Sequence, residues 1–163
     1  MKCYFLRHGL AAEPAEWRGD DFDRPLTREG RERMEREAKA IADLALGLDV
    51  IVTSPLARAR QTAEIVAQRL KMGARLIEDK RLGNGLGVDR LGALLAEHAG
   101  AESLMLVGHE PSMSATIGRL AGGAGIELKK GALACVELAD PSSRTGTLLW
   151  LLPPKVLSAF EKR

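Results

Sequence analysis

The chain has 163 residues, of which 45% are apolar and 28% charged, and this balance predicts one globular domain over residues 1–163. A net charge of +2, with both signs mixed along the chain, argues against nucleic-acid binding through bulk charge. No apolar stretch approaches the roughly 20 residues that span a bilayer, and no signal-peptide pattern is visible, so we expect a cytoplasmic protein without a membrane partner.

The first predicted strand is the apolar run 3–6, which leads directly into Arg7-His8-Gly9. Residues 10–25 follow no period and contain two prolines, which indicates a loop. Thr27 is the expected N-cap of a helix that runs to about Leu46. Its predicted buried face consists of Met34, Ala38, Ile41 and Ala45.

A second buried strand is predicted over 49–53, with Ser54 as N-cap and Pro55 as first residue of the following helix. The third convincing strand covers 103–107 and ends in Gly108-His109. The weaker elements are a short strand over 74–77, a glycine loop over 83–87, helices over 91–99, 113–120 and 153–160, and strands over 132–138 and 147–152.

Strand and helix alternate until a late pair of strands closes the chain. This order predicts an α/β fold, a three-layer α/β/α sandwich with a mostly parallel central sheet. Cys3 and Cys135 both lie in apolar runs, so we expect buried free thiols in a reducing compartment. Their spacing is not that of metal ligands.

Chemically active side chains follow three of the predicted strands. Arg7 and His8 follow the first, Ser54 and Arg58 the second, and His109 the third. The carboxyl ends of parallel strands meet at one edge of a sheet, where ligands bind. The planar fork of arginine suits phosphoryl oxygens. The sequence therefore predicts a phosphate pocket at this edge.

A phosphoryl group in such a pocket can be attacked by a neutral imidazole, and a second histidine can donate a hydrogen bond to the developing charge. His8 and His109 are the candidates for these two roles. The arginines already offset the phosphoryl charge, so we expect no metal and no other cofactor. Gly9 permits the sharp turn and the close approach of the backbone to a ligand.

Taken together, three segments resemble the histidine phosphatase superfamily, which has the phosphoglycerate mutase-like fold. They are Arg7-His8-Gly9, the segment from Ser54 through Arg58 to Gln61-Thr62, and Gly108-His109. Over nearly the whole chain, including Arg24-Pro-Leu-Thr and a C-terminal Trp-x2-Pro, the likeness is to the SixA-type phosphohistidine phosphatases. This resemblance implies that His8 becomes phosphorylated, that Arg7, Arg58 and His109 hold the phosphate, and that Arg24, Gly9 and Ser54 contribute to substrate binding.

The proton donor is the point at which the resemblance ends. Glu78 and Asp79 do not match the acid of mutase-like members, and Asp21 and Asp23, in the loop beside Arg24, are the substitute candidates. An alternative is that these loop acids pair with neighbouring arginines. Glu110, beside His109, is expected at the surface or as a cap, and the alternative is that it reaches the pocket and alters substrate choice. Trp17 either packs on the pocket rim or covers it.

Three functions remain open. The first is a metal-independent phosphatase whose substrate is a phosphorylated protein, such as a histidine phosphotransfer domain carrying phosphohistidine. The second is a phosphatase of small phosphate esters. The third is a phosphate-binding module without turnover. The short loops favour an open site and therefore the protein substrate.

Overall fold

The computed structural model describes residues 1–83 and 85–159. The strands are β1 (Lys2–Arg7), β2 (Val50–Thr53), β3 (Leu76–Glu78), β4 (Ser103–Gly108), β5 (Leu133–Glu137) and β6 (Thr147–Leu152). The α-helices are α1 (Arg28–Asp43), α2 (Ala57–Arg69), α3 (Val88–Glu97), α4 (Ser112–Leu120) and α5 (Pro154–Leu157). Short 3₁₀ turns cover Asp21–Asp23, Gly73–Arg75 and Lys80–Leu82.

The six strands form one sheet in the order β3-β2-β4-β1-β5-β6. The pairs β1–β4, β2–β4 and β2–β3 are parallel, whereas β5 pairs antiparallel with both β1 and β6. The predicted mostly parallel sheet is therefore confirmed, and the late strand pair forms its antiparallel edge. Because β1, β2 and β4 are parallel neighbours, their carboxyl ends lie at the same edge.

Helices cover both faces of this sheet, as the three-layer prediction requires. Met34 and Ile41 of α1 and Val66 of α2 pack in one buried cluster with Leu157 of α5. The leucines of α3 and the apolar side of α4 pack in a second cluster on the opposite face. Among residues 1–83 and 85–159, no helix is long and apolar enough to cross a bilayer.

Two predicted helix boundaries are wrong. Helix α2 begins at Ala57 with Leu56 as its cap, not at Pro55 with a Ser54 cap. The N–H of Ser54 still bonds to the carbonyl of Val107, so Ser54 continues the sheet instead of starting the helix. Helix α1 ends at Asp43, and Ala45, predicted to be buried, is exposed with a φ of 48°.

Smaller differences concern the weaker elements. The strand predicted over 74–77 covers Leu76–Glu78, and the helix predicted over 91–99 begins three residues earlier at Val88. The last helix ends at Leu157, and Phe160, its predicted end, lies outside the described residues. Both cysteines are buried free thiols as predicted.

Candidate active site

His8 stands at the carboxyl end of β1 and is 6% exposed. Its backbone N–H donates to the carbonyl of Gly108, which ties the end of β1 to β4. Its Nδ1 lies 2.8 Å from the carbonyl oxygen of Gly9. A carbonyl can only accept, so the proton of a neutral His8 ring is on Nδ1. The lone pair is then on Nε2.

Both site histidines are held in the neutral form. The pKa of His8 is lowered to about 3, mainly by burial and also by His109, Arg58 and Arg7, against an opposing hydrogen bond to Gly9. Burial also lowers the pKa of His109 to about 4, with Arg58 the largest charged contributor. At neutral pH the two imidazoles therefore lie among arginines without adding to the positive charge.

His109 follows β4 and faces His8, with their ring centroids 5.1 Å apart and the rings tilted by 52°. Its Nε2 is 2.7 Å from Ser54 Oγ. The same Oγ accepts the N–H of Leu56 at 3.2 Å. Ser54 is fully buried. The carboxyl ends of β1, β2 and β4 therefore bring His8, Ser54 and His109 together, as the strand order predicts.

Arg58 lies in the first turn of α2 and is 6% exposed. Its Nη1 donates to the backbone carbonyl of Asp21 at 2.9 Å, and its Nη2 donates to Asp21 Oδ2 at 3.1 Å. Arg24 donates from Nε to Asp21 Oδ1 and from Nη1 to the carbonyl of Ala12. The bond from Arg24, aided by Arg58, lowers the pKa of the Asp21 carboxyl. Asp21 therefore joins two candidate phosphate-binding arginines.

Arg7 extends from the end of β1 toward the chain between α4 and β5. Its Nη1 donates to the carbonyl of Leu128 at 2.9 Å, and its buried Nε has no partner among the described residues. Burial lowers the pKa of Arg7, and the charge of Glu110 opposes this shift. Glu110 itself accepts the N–H of Ser114 in the first turn of α4, so the expectation of a capping role is confirmed.

The other loop candidates have different surroundings. Within the described part of the chain, no hydrogen bond or ion pair joins the exposed Asp23 carboxylate to Arg24 or Arg58. Trp17 donates from Nε1 to the carbonyl of Asp20 at 2.8 Å. Trp17 thus ties together the turn that carries Asp21.

Two further residues of the sequence motif, Gln61 and Thr62, position other parts of the site, although the sequence predicted no role for them. Thr62 donates to the carbonyl of Arg58 at 2.7 Å and accepts the N–H of Gly9 at 3.1 Å. Gln61 accepts the N–H of Leu26, just before α1. In the sequence, only the adjacent Gln-Thr pair in the first turns of α2 indicated that these positions matter. The fold shows that Thr62 holds the turn after His8.

The space beside the Gly9 backbone on the side of α1 is filled by Met34. A Cβ at Gly9 would lie 2.6 Å from Cγ of Met34, so only glycine fits between the site and α1. Among the residues that the structure describes, no three His, Cys, Asp or Glu side chains cluster as metal ligands would.

The sequence profile of the histidine phosphatase superfamily (branch 1) matches residues 3–85, which carry His8, Arg24 and Arg58. An uncharacterized protein of Picosynechococcus is 43% identical over 119 residues, which are 69% of this chain and 68% of that protein. The chain belongs to the histidine phosphatase superfamily.

Other relatives within this superfamily point in two directions. The probable phosphoglycerate mutase GpmB of Cronobacter sakazakii is 41% identical over 85 residues, which are half of this chain but 37% of the mutase. The structure of the protein histidine phosphatase SixA with tungstate superposes with a TM-score of 0.84 and 26% identity, covering 95% of this chain and 98% of SixA. SixA from Agrobacterium tumefaciens gives a TM-score of 0.77 at 28% identity, with 94% and 98% covered. The superfamily and these SixA-like neighbours support phosphatase activity, whereas the substrate is a separate question.

Proposed function

We propose that this histidine phosphatase removes phosphate from phosphohistidine on a protein, through a covalent phosphohistidine intermediate on its own His8. The observation that carries the proposal is the state of His8. Its Nδ1 proton is held by the carbonyl of Gly9, and its pKa of about 3 keeps Nε2 unprotonated at neutral pH. A neutral imidazole with one fixed proton and one free lone pair is a ready nucleophile.

In the first step, His8 Nε2 attacks the phosphorus atom, and the bond from phosphorus to the leaving group breaks. The leaving group departs with the electron pair of that bond. Arg7 and Arg58 offset the charge on the three phosphoryl oxygens, because the guanidinium fork offers paired, charge-assisted hydrogen bonds. The neutral His109 ring and the Ser54 hydroxyl, joined at 2.7 Å, supply additional polar contacts.

In the second step, water attacks the phosphorus atom of phosphorylated His8, and the P–N bond breaks. Inorganic phosphate leaves and His8 regains its lone pair on Nε2. The same arginines stabilise this second transition state, because the same three oxygens carry the charge. We propose that neither step requires a metal ion, since the positive charge comes from the arginines.

The candidate proton donor Asp21 supports this choice of substrate class. A good proton donor at neutral pH has a raised pKa, but the pKa of Asp21 is lowered by Arg24 and Arg58. An alcohol leaving group needs a proton as it departs. The imidazole of a phosphohistidine that already carries a proton on its other nitrogen can leave as a neutral ring. The state of Asp21 therefore favours phosphohistidine over a phosphomonoester as the substrate.

A second candidate is a phosphatase of small phosphate esters. The observation in its favour is the 41% identity to the probable phosphoglycerate mutase GpmB over 85 residues. In that case Asp21 or Asp23 would have to supply the proton. A binding module without turnover is less compatible with a neutral His8.

The test is phosphate release from a phosphorylated histidine phosphotransfer domain and from para-nitrophenyl phosphate, both with excess EDTA. We expect faster turnover of the phosphohistidine domain. Acid-free quenching during turnover should trap phosphate on His8. The His8→Ala variant should lose both activities.

His98→Ala is the matched control, because His98 lies at the end of α3 and, among the described residues, no hydrogen bond or ring contact joins it to His8, Arg58 or His109. Its activity should match the wild type. Turnover of only the ester would favour the second candidate, and full activity of His8→Ala would refute the nucleophile assignment.

A further inference from the structure

A groove beside the candidate active site has predominantly basic walls. It consists of two adjoining cavities of about 360 and 650 Å³ between α1, the chain before β5 and the chain around α5. We call it the basic groove and define it by Arg33, Glu37, Lys129, Lys130, Pro154 and Lys155. The two cavities share Arg33, Glu37, Lys129 and Pro154, so the groove is continuous.

The groove reaches the candidate site at one end. Arg7 and Gly9, the residues on either side of His8, line the smaller cavity. A group bound there would lie beside the phosphate pocket but outside it. The groove is therefore positioned to contact the part of a substrate that surrounds its phosphorylated residue.

The walls of the groove carry exposed positive charge. Lys129, Lys130 and Lys155 are all exposed, and Lys129 pairs only loosely with Glu127, at 3.8 Å. Arg33 pairs with Glu29 along α1 but keeps 54% of its side chain exposed. The whole chain has a net charge of only +2, so this local concentration is not a reflection of overall composition.

Two acids line the groove without cancelling this charge, since Glu127 at the rim faces Lys129 and Glu37 lies at the floor. Glu37 is 3% exposed, and burial raises its pKa to about 8 against the charges of Arg33 and Arg36. Its Oε2 has no partner among the described residues and packs against Gly131, where a Cβ would approach it to 2.3 Å. At neutral pH the floor is largely uncharged and the rim is positive.

We propose that the basic groove binds an acidic segment of the phosphoprotein substrate, next to its phosphohistidine, and so selects protein substrates over small phosphates. This inference rests on the proposed function. Opposite charge across such a surface accelerates encounter and sets specificity more than it adds affinity at each pair. Binding through the groove should therefore affect kcat/KM for the protein and leave a small phosphate unaffected.

The test uses the Lys129→Glu/Lys130→Glu double variant and three substrates: a phosphorylated histidine phosphotransfer domain, para-nitrophenyl phosphate and 3-phosphoglycerate. We expect kcat/KM for the protein to fall at least tenfold, with para-nitrophenyl phosphate and 3-phosphoglycerate unchanged. The decline of the wild-type protein reaction with ionic strength should flatten in the variant, because the screened attraction has been removed.

Arg119→Glu is the control for net charge, and it is matched to the single groove variant Lys155→Glu because each reverses one charge. Arg119 is exposed on α4, on the opposite face of the sheet, so reversing it changes the charge of the chain without touching the groove. A second groove variant, Lys155→Glu, should show a smaller loss in the same direction. Unfolding midpoints of all variants should match the wild type, because each changed side chain is exposed.

The outcomes separate the two proposals. If the wild type does not release phosphate from the phosphoprotein, the proposed substrate is wrong and the groove proposal falls with it. If the wild type does so but the double variant is equally fast, or Arg119→Glu is equally impaired, the groove alone is refuted. A loss confined to 3-phosphoglycerate would also refute it, since the groove would then bind the carboxylate of a small substrate.

Discussion

Asp21 occupies the hydrogen-bonding edge of Arg58. The carbonyl and the Oδ2 of Asp21 accept from Nη1 and Nη2 of Arg58 at 2.9 and 3.1 Å. A phosphoryl group bound by this guanidinium would compete with Asp21 for the same two donors. The Asp21 side chain is 60% exposed, whereas that of Arg58 is 7% exposed, so the aspartate is the partner free to move away.

Asp21→Ala should therefore strengthen vanadate binding, because Arg58 and Arg24 lose a competing carboxylate. We expect the vanadate inhibition constant to fall several-fold. Removing a true general acid typically lowers the rate by about 10²–10⁴-fold. Turnover of the phosphohistidine substrate should instead be largely retained.

Asp23→Ala is the matched control for this experiment, since the neighbouring carboxylate has no bond to either arginine in the described structure. It should leave vanadate inhibition unchanged. Weaker vanadate binding by Asp21→Ala, or loss of turnover by the factor of a general acid, would show that Asp21 acts on the substrate directly.

Thr62→Val should lower both the stability of the protein and its kcat. The variant removes both the acceptor of the Gly9 N–H and the donor to the Arg58 carbonyl. A buried N–H without a partner costs about 1–3 kcal/mol. We expect lower stability in chemical denaturation together with a lower kcat, because the turn after His8 loses its support.

Thr116→Val is the control that separates a loss of kcat from a loss of stability. Thr116 is equally buried and also donates to a carbonyl four residues earlier, in α4, but it supports no site residue. We expect its kcat to be unchanged. A similar loss of kcat in both variants would mean that Thr62 acts through general stability alone.

The sheet, and the edge at which it carries the candidate site, were predictable because short-range patterns determine them. The apolar run before Arg7-His8-Gly9 and the run before His109 both indicate buried strands, and parallel strands end at one edge. The start of α2 was not predictable in the same way. Ser54 and Pro55 form a good local helix start, but the bonds of Ser54 to Val107 and His109 determine its place.

The side-chain contacts of the loop before α1 were beyond prediction for the same reason. Asp21 and Arg58 are 37 residues apart, and nothing near either residue shows that they pair. The burial of Glu37 was not predicted, although it lies three residues after Met34 and four before Ile41 on the buried side of α1, because an ionisable side chain is seldom fully buried without a partner. Only the packing of α1 against Gly131 explains it.

The pH profile should reveal the depressed histidine pKa values. A protonated imidazole has no lone pair for attack, so activity is lost on the acid side as His8 gains a proton. Its lowered pKa of about 3 moves this loss well below the ordinary value of about 6.5. We expect kcat/KM with the phosphohistidine domain to show no acid limb between pH 5 and 7.

Arg58→Gln tests whether the charge of Arg58 contributes to the lowered pKa values of the two histidines. Arg58 lowers the pKa of both His8 and His109, so its removal should raise both values in an NMR titration of the ring protons. An acid limb near pH 6.5 in the wild type, or unchanged titrations in Arg58→Gln, would contradict this account.

Glu37 should make stability depend on pH in the alkaline range. Burial raises the pKa of its carboxyl from 4.5 in the unfolded chain to about 8 in the folded one. The folded state therefore holds this proton more tightly, and the associated stability is fully present below pH 4.5 and is lost as pH rises through 8. Each unit of the difference corresponds to about 1.4 kcal/mol.

Glu37→Gln keeps the shape of the side chain but cannot ionise, so it should remove this loss. We expect the variant to exceed the wild type in free energy of unfolding by about 2 kcal/mol or more at pH 9, and by much less at pH 5. Urea denaturation at the two pH values measures the difference. Glu35→Gln, an exposed neighbour on α1, should match the wild type at both. Equal stability of Glu37→Gln and wild type at pH 9 would mean that the Glu37 carboxylate finds a partner or water once it ionises.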